Sequence, residues 1–183
     1  MKALRPLLAV LLVAAGVAAV VLVARRGTVQ PSQPGEAPPP TPTPVPGKLV
    51  LFFPGEDTFL HRERRDVPEL PTTTPARIRL VVEELLAGSR EGFASPFSWA
   101  ATVQAVFVDS RGNAFIDLSA PPADSVSGSA AEEALIWAAV NSVVANCAAV
   151  DRVQLLFGGK ELSTLGHIDL ARPLAPRPEL VAP

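Results

Sequence analysis

The chain holds two histidines, one cysteine and no tyrosine, so any chemistry it performs is assembled from few parts. His167 and Asp169 stand two apart, a spacing that puts both side chains on one face of a strand, where they offer two metal ligands or a polarised imidazole. Two ligands do not complete a metal site, and no further His or Cys lies near them in sequence, so a structural turn or strand histidine is the expectation. His61 precedes the run Arg62-Glu63-Arg64-Arg65-Asp66. A solvated edge strand accounts for that run; the sharper alternative is an electrostatic docking patch made by Arg62, Arg64, Arg65 and Asp66. Cys147 ends an apolar stretch with nothing adjacent to lower its pKa, so it reads as a small buried residue rather than a nucleophile. Were it exposed, it would instead be able to cross-link two copies.

Other candidate groups reduce to architecture. Asp109 and Asp117 bracket a short turn and as a pair resemble a glycosidic acid and base, but aspartates at turns and strand ends commonly bind backbone. No serine lies in a G-x-S-x-G elbow, and Gly158-Gly159-Lys160 lacks the eight-residue pattern of a phosphate loop, so it reads as a hairpin turn. No catalytic, cofactor-binding or metal-binding residue is therefore expected.

The elements that must position these groups begin with an uncharged apolar run, Leu7 to Ala24, whose 18 residues follow Lys2 and Arg5 and precede Arg25 and Arg26. At ~1.5 Å per residue it spans about 27 Å as a helix, close to the hydrocarbon thickness of a bilayer. A cleaved signal peptide is the competing reading. Its apolar core is shorter, roughly 7 to 15 residues, and ends in a small-x-small site, whereas this run ends in Leu22-Val23-Ala24-Arg25-Arg26; a retained anchor, residues 1–26, is the expectation. The only cysteine is Cys147, which leaves none at the junction for lipidation. Residues 27–47 contain eight prolines and read as a semi-rigid polyproline spacer that holds a domain off the membrane on its extracytoplasmic, periplasmic side.

From Lys48 onward, 12 Lys and Arg face 17 Asp and Glu, a net charge of 12 − 17 = −5, so nucleic acid is a poor partner. Leu49–Phe53 reads as a buried strand, and Phe59–Val67 as a polar edge strand returning against it. Residues 75–87 form a helix with Thr74 as cap, Gly88 beyond its end, and Ile78, Val81, Val82, Leu85 and Leu86 on one face. Val103–Asp109 and Asn113–Leu118 make a hairpin. A second, mostly apolar helix runs from Ser129, in a capping box with Glu132, to about Cys147. Its broad apolar arc is Leu135, Ile136, Ala139, Val140, Val143 and Val144. Val153–Phe157 is a buried strand, and Glu161–Leu165 returns against it after the two glycines. The order predicts an α+β fold, a two-layer sandwich of two helices on an antiparallel-rich sheet, with ferredoxin-like topology as one candidate.

The segments VVEELLAGS at 81–89, NAFIDLS at 113–119, GSAAEEALIWAAVNSVV at 128–144 and VDRVQLLFGGKELSTLGHIDL at 150–170, with LVLFFPGED and RRDVP before them, resemble in order and spacing the GerMN domain family of sporulation and spore germination. The resemblance spans residues 48–172 and leaves 173–183 as a Pro-rich C-terminal tail. It implies a non-enzymatic extracytoplasmic domain, similar to the ring-building modules of secretion and sporulation complexes, that assembles with itself or with another envelope protein. It carries no catalytic or ligand residues onto this chain. The alternative function is a small-ligand or cell-wall-glycan binding module.

Overall fold

The computed structural model describes residues 45–121, 129–165 and 167–183. The apolar run Leu7–Ala24, the Pro-rich stretch through residue 44 and the side chain of Ser129, with its expected cap, lie outside the described residues. No helix among the described residues is long and apolar enough to cross a membrane.

Strand β1 (Gly47–Pro54) pairs antiparallel with β2 (Leu60–Val67), in a register that sets Leu49 opposite Arg65, Leu51 opposite Glu63 and Phe53 opposite His61. Helix α1 (Thr74–Leu86) buries Ile78, Val81, Val82 and Leu85, the face that the three- and four-residue spacing predicts. Its N-cap is Thr73 rather than Thr74, with no side-chain capping bond, and Pro75 falls where the missing N–H costs nothing. Gly88 ends the helix at φ +84°, a left-handed conformation that glycine adopts without a Cβ penalty.

Strands β3 (Val103–Val108) and β4 (Asn113–Leu118) form the expected hairpin. Helix α2 (Ser129–Asn146) follows, then β5 (Arg152–Phe157). Because α2 carries the chain back across the sheet, β5 pairs parallel with β4, and the sheet is mixed, with antiparallel pairs still in the majority as expected. Helix α1 lies on β3, β1 and α2, and α2 lies on β1, α1 and β5, with Leu85, Ile116, Ile136, Val140 and Leu155 in the shared core.

Two expectations are corrected. The first concerns ferredoxin-like topology, which needs β1 inside the main sheet; here that sheet is β3-β4-β5 with the two-residue β6 (Lys160–Glu161) beyond β5, and β1 pairs with β2 alone. The other edge of β1 is taken by α2: Ser142 Oγ accepts from Phe52 N at 3.0 Å, and Asn146 accepts from Val50 N at 2.9 Å while donating to Val50 O at 2.7 Å. Polar side chains on an apolar helix thus satisfy a strand edge that would otherwise be open.

The second correction is the strand after β5. Only β6 (Lys160–Glu161) returns, through Gly158 and Gly159 at φ +61° and +73°, the paired left-handed residues of a tight hairpin. The chain then forms a separate ladder of β7 (Thr164–Leu165) and β8 (Ile168–Asp169). The outer edge of β5 is already occupied by Leu174, which exchanges two backbone bonds with Val153 at 2.8 and 2.9 Å. Residues 173–183 continue as a strap: Ala182 N donates to Leu60 O at 2.9 Å, so the end of the chain joins β5 to β2.

Candidate functional site

Strand β2 sorts the expected docking residues by parity. Arg62, Arg64 and Asp66 point outward and are exposed, whereas Arg65 is buried, at 2% exposure, beside Glu63 at 1%. Arg65 therefore leaves the proposed surface. It sits opposite Leu49 on the inner face, and a bare guanidinium there would be costly, so the surrounding chain supplies acceptors. Arg65 bonds to Glu63 through Nε and Nη2, to Glu84 O and Oε2 through Nη1 at 2.7 and 3.0 Å, and to Gly88 O at 2.8 Å. Two of these acceptors are carbonyls at the C-terminal end of α1, so Arg65 caps the helix from inside the domain. The other oxygen of Glu63 accepts from Ser89 Oγ at 2.6 Å, Arg90 N at 3.0 Å and Glu91 N at 3.3 Å. Burial pushes the Glu63 carboxyl up, but the bonds from Ser89 and Arg65 and the Arg65 charge outweigh it and hold the group below its ordinary value.

The outer face of the hairpin is arranged differently. Lys48 pairs with Asp66 at 3.1 Å, both highly exposed, and the Arg62 guanidinium lies 5.8 Å from the Phe52 ring. Among the described residues neither Arg62 nor Arg64 has a carboxylate partner. His61, half-buried at the edge of this face, stacks on Phe93 at 5.0 Å and bonds Asp57 through Nε2 at 2.8 Å.

The remaining candidates fall where turns and strand ends need them. Asp109 accepts from Arg111 N, Asn113 N and Asn113 Nδ2 at 2.8 to 2.9 Å, and the bonds from Asn113 hold its carboxyl low. Asp117 Oδ1 accepts from Gly159 N at 2.8 Å and fixes the β5–β6 turn. Cys147 is buried, which pushes its thiol up to about 11 and leaves it protonated at neutral pH; cross-linking through it is not available to the folded domain. His167 lies exposed in the β7–β8 turn, while Asp169 accepts from Ala171 N at 2.9 Å and faces Arg172 at 3.6 Å. No group of three His, Cys, Asp or Glu among the described residues is arranged to hold a metal.

A cleft of about 400 Å³ gathers residues far apart in sequence: Glu133 and Trp137 of α2, Arg152 of β5, His167, Arg172 just before the strap and Arg177 within it. The sequence signal for it is weak. The arginines are 20 and 5 residues apart, and Trp137 reads as core; only the run RPLAPRPEL, cations fixed among prolines, marks the strap as more than a loose end.

Two helices on a mixed sheet with a charged hairpin at one side make an α+β domain. Residues 50–163 match the model of the family Germane: Sporulation and spore germination, and the chain belongs to that family. No curated protein matches the chain. Among solved structures, the tandem GerMN domains of the sporulation protein GerM from Bacillus subtilis align at 17% identity over 72% of this chain and 46% of that one, TM-score 0.54. The first GerMN domain of the same protein aligns at 16% identity over 70% of this chain and 94% of that one, TM-score 0.51. A candidate lipoprotein from Clostridium perfringens aligns at 12% identity over 72% and 87%, TM-score 0.49. The chain thus spans about half of the tandem pair, and at these identities the likeness is one of fold.

Proposed function

We propose that this chain is a non-enzymatic interaction module of the bacterial cell envelope: a Germane domain held at the cytoplasmic membrane by Leu7–Ala24, presented on the extracytoplasmic side by its Pro-rich spacer, and acting by contact with itself or another envelope protein. The observation that carries this reading is the division of charge on β2. The inward pair Glu63–Arg65 is satisfied by neighbouring groups, while among the described residues outward Arg62 and Arg64 stand without a carboxylate, available to an acidic surface. Exposed Phe107, on the edge strand β3, adds apolar area of the kind that assembly surfaces use. Anchored copies also gain effective concentration from the membrane, so individually weak contacts suffice.

Cross-linking of the full-length protein in native membranes tests the reading. The wild type should give a discrete adduct with itself or one partner, and the double variant R62E/R64E should lose it at unchanged protein level. A folded double variant that cross-links as the wild type does removes the hairpin face from the function. Loss of all function in a folded His61→Ala, Asp117→Ala, Cys147→Ala or His167→Ala variant, with cross-links intact, would move the assignment to an enzyme or a ligand binder. The second reading, a small-ligand module, is favoured by one observation, the arginine-walled cleft beside Trp137.

A further inference from the structure

Several arginines of the domain are spoken for. Arg65 is enclosed by Glu63, Glu84 and Gly88; Arg77 donates to Pro71 O; Arg79 to Val103 O and Gln104 O; Arg90 to Glu84. Arg152 and Arg177 are different. Neither has a carboxylate partner among the described residues, yet both wall one cleft.

Arg177 is held in place with unusual care for an unpaired cation. Its peptide is clamped on both sides by Asn141, whose Oδ1 accepts from Arg177 N at 2.8 Å and whose Nδ2 donates to Arg177 O at 3.1 Å. Its guanidinium lies 4.4 Å from the centre of the Trp137 ring. Trp137 and Asn141 are four apart on α2, neighbours one turn along the helix, and each is 4% exposed. Trp137 is also the wall between two spaces, since both it and Glu133 line the cleft and a second cavity of about 260 Å³ whose other walls include Pro54, Leu60, Ala134 and Leu180. Among the described residues its buried Nε1–H has no hydrogen-bond partner, and that donor-only group is costly to bury unless something accepts from it.

These features ask for a ligand with three properties: an oxyanion for two arginines, a donor for Glu133, and an apolar body for the second cavity. Asp169 is answered by Arg172 at 3.6 Å, so among the described residues Arg152, Arg177 and Glu133 of the cleft have no ion-pair partner. We infer that the cleft binds the carboxyl terminus of a peptide ending in an apolar residue. The terminal carboxylate lies between Arg152 and Arg177, where forked guanidinium donors suit its two oxygens. The last amide N–H faces Glu133, and the last side chain enters the cavity beyond Trp137. This deepens the small-ligand reading and does not depend on the hairpin face docking a partner.

The test uses the full-length protein in detergent micelles, with the indole N–H resonance of Trp137 as the reporter, identified by its loss in Trp137→Phe. Three probes are titrated to about 10 mM, the range in which weak millimolar binding is visible: N-acetyl-alanyl-leucine with a free carboxylate, its C-terminal amide, and inorganic phosphate. The free acid should shift the resonance saturably, and the amide should bind at least ~10-fold more weakly for want of its charge-assisted bonds. Arg177→Gln and Arg152→Gln should each weaken the acid at least ~10-fold while membrane cross-linking through the hairpin face persists. Either variant suffices if the other is unstable, and Arg177→Lys should restore part of the binding. Equal shifts by acid and amide, an identical response to phosphate alone, or no shift by any probe would each overturn the assignment.

Discussion

Arg65 and Arg64 are adjacent on β2, and the strand's alternation sends them to opposite fates. Arg65 enters the core and is met by its own strand and by the end of α1, through Glu63, Glu84 and Gly88, whereas Arg64 enters solvent with no carboxylate partner among the described residues. A buried charge survives only where the fold supplies every bond it needs, so its presence reports architecture. An exposed or cleft-lining charge that the fold leaves unanswered reports capacity for a partner. By this criterion Arg65 belongs with Ser142 and Asn146, polar groups consumed in joining elements, while Arg62, Arg64, Arg152 and Arg177 are the residues proposed to meet a partner.

The comparison breaks most visibly at Arg65. Arg65→Ala strands Glu63 in the core and uncaps α1, and it should cost about 3 to 5 kcal/mol in chemical denaturation of the domain. Leu85→Ala and Leu155→Ala, at sites with 0% and 2% exposure on facing layers, should each cost about 2 to 5 kcal/mol through lost transfer energy and the cavity left behind. An unchanged denaturation midpoint for Leu85→Ala would displace α1 from the core.

The network also has a pH signature. Because folding holds Glu63 below its ordinary value of 4.5, its stabilisation is fully present above that pH and is lost as the pH falls through the lower folded-state value. The stability difference between wild type and Glu63→Gln should therefore shrink on acidification below 4.5, as read from denaturant midpoints across pH. The smallest effect is expected at the outer face, where Arg62→Ala and Lys48→Ala should leave the midpoint unmoved.

How far the sequence carried these distinctions follows from contrast. The apolar stripe of α1 and the alternation of NAFIDL are sharp because neighbouring positions differ strongly in polarity, and the structure buries Ile78, Val81, Val82, Leu85, Ala114, Ile116 and Leu118 accordingly. The run HRERRDV has no such contrast, so its inward and outward residues look alike when read alone. The available signal was parity: Val67 must face inward, which carries Arg65 and Glu63 with it. Their partners, Glu84 and Ser89, lie about 20 and 26 residues away and are invisible to local pattern. The parallel β4–β5 pair and the strap were hidden for the same reason. Leu174 finds Val153, and Arg177 finds Trp137 and Asn141, only after α2 has crossed the sheet.

The most direct test of the division between answered and unanswered charge sets two single variants one residue apart, Arg65→Gln and Arg64→Glu, against the same pair of readouts, denaturation midpoint and membrane cross-linking. Arg65→Gln should destabilise the domain by about 3 to 5 kcal/mol, read as a lower midpoint, and whatever fraction remains folded should still form the adduct. Arg64→Glu should keep the wild-type midpoint and lose the adduct. A stable Arg65→Gln protein, or an Arg64→Glu protein that is captured as the wild type is, would contradict the account.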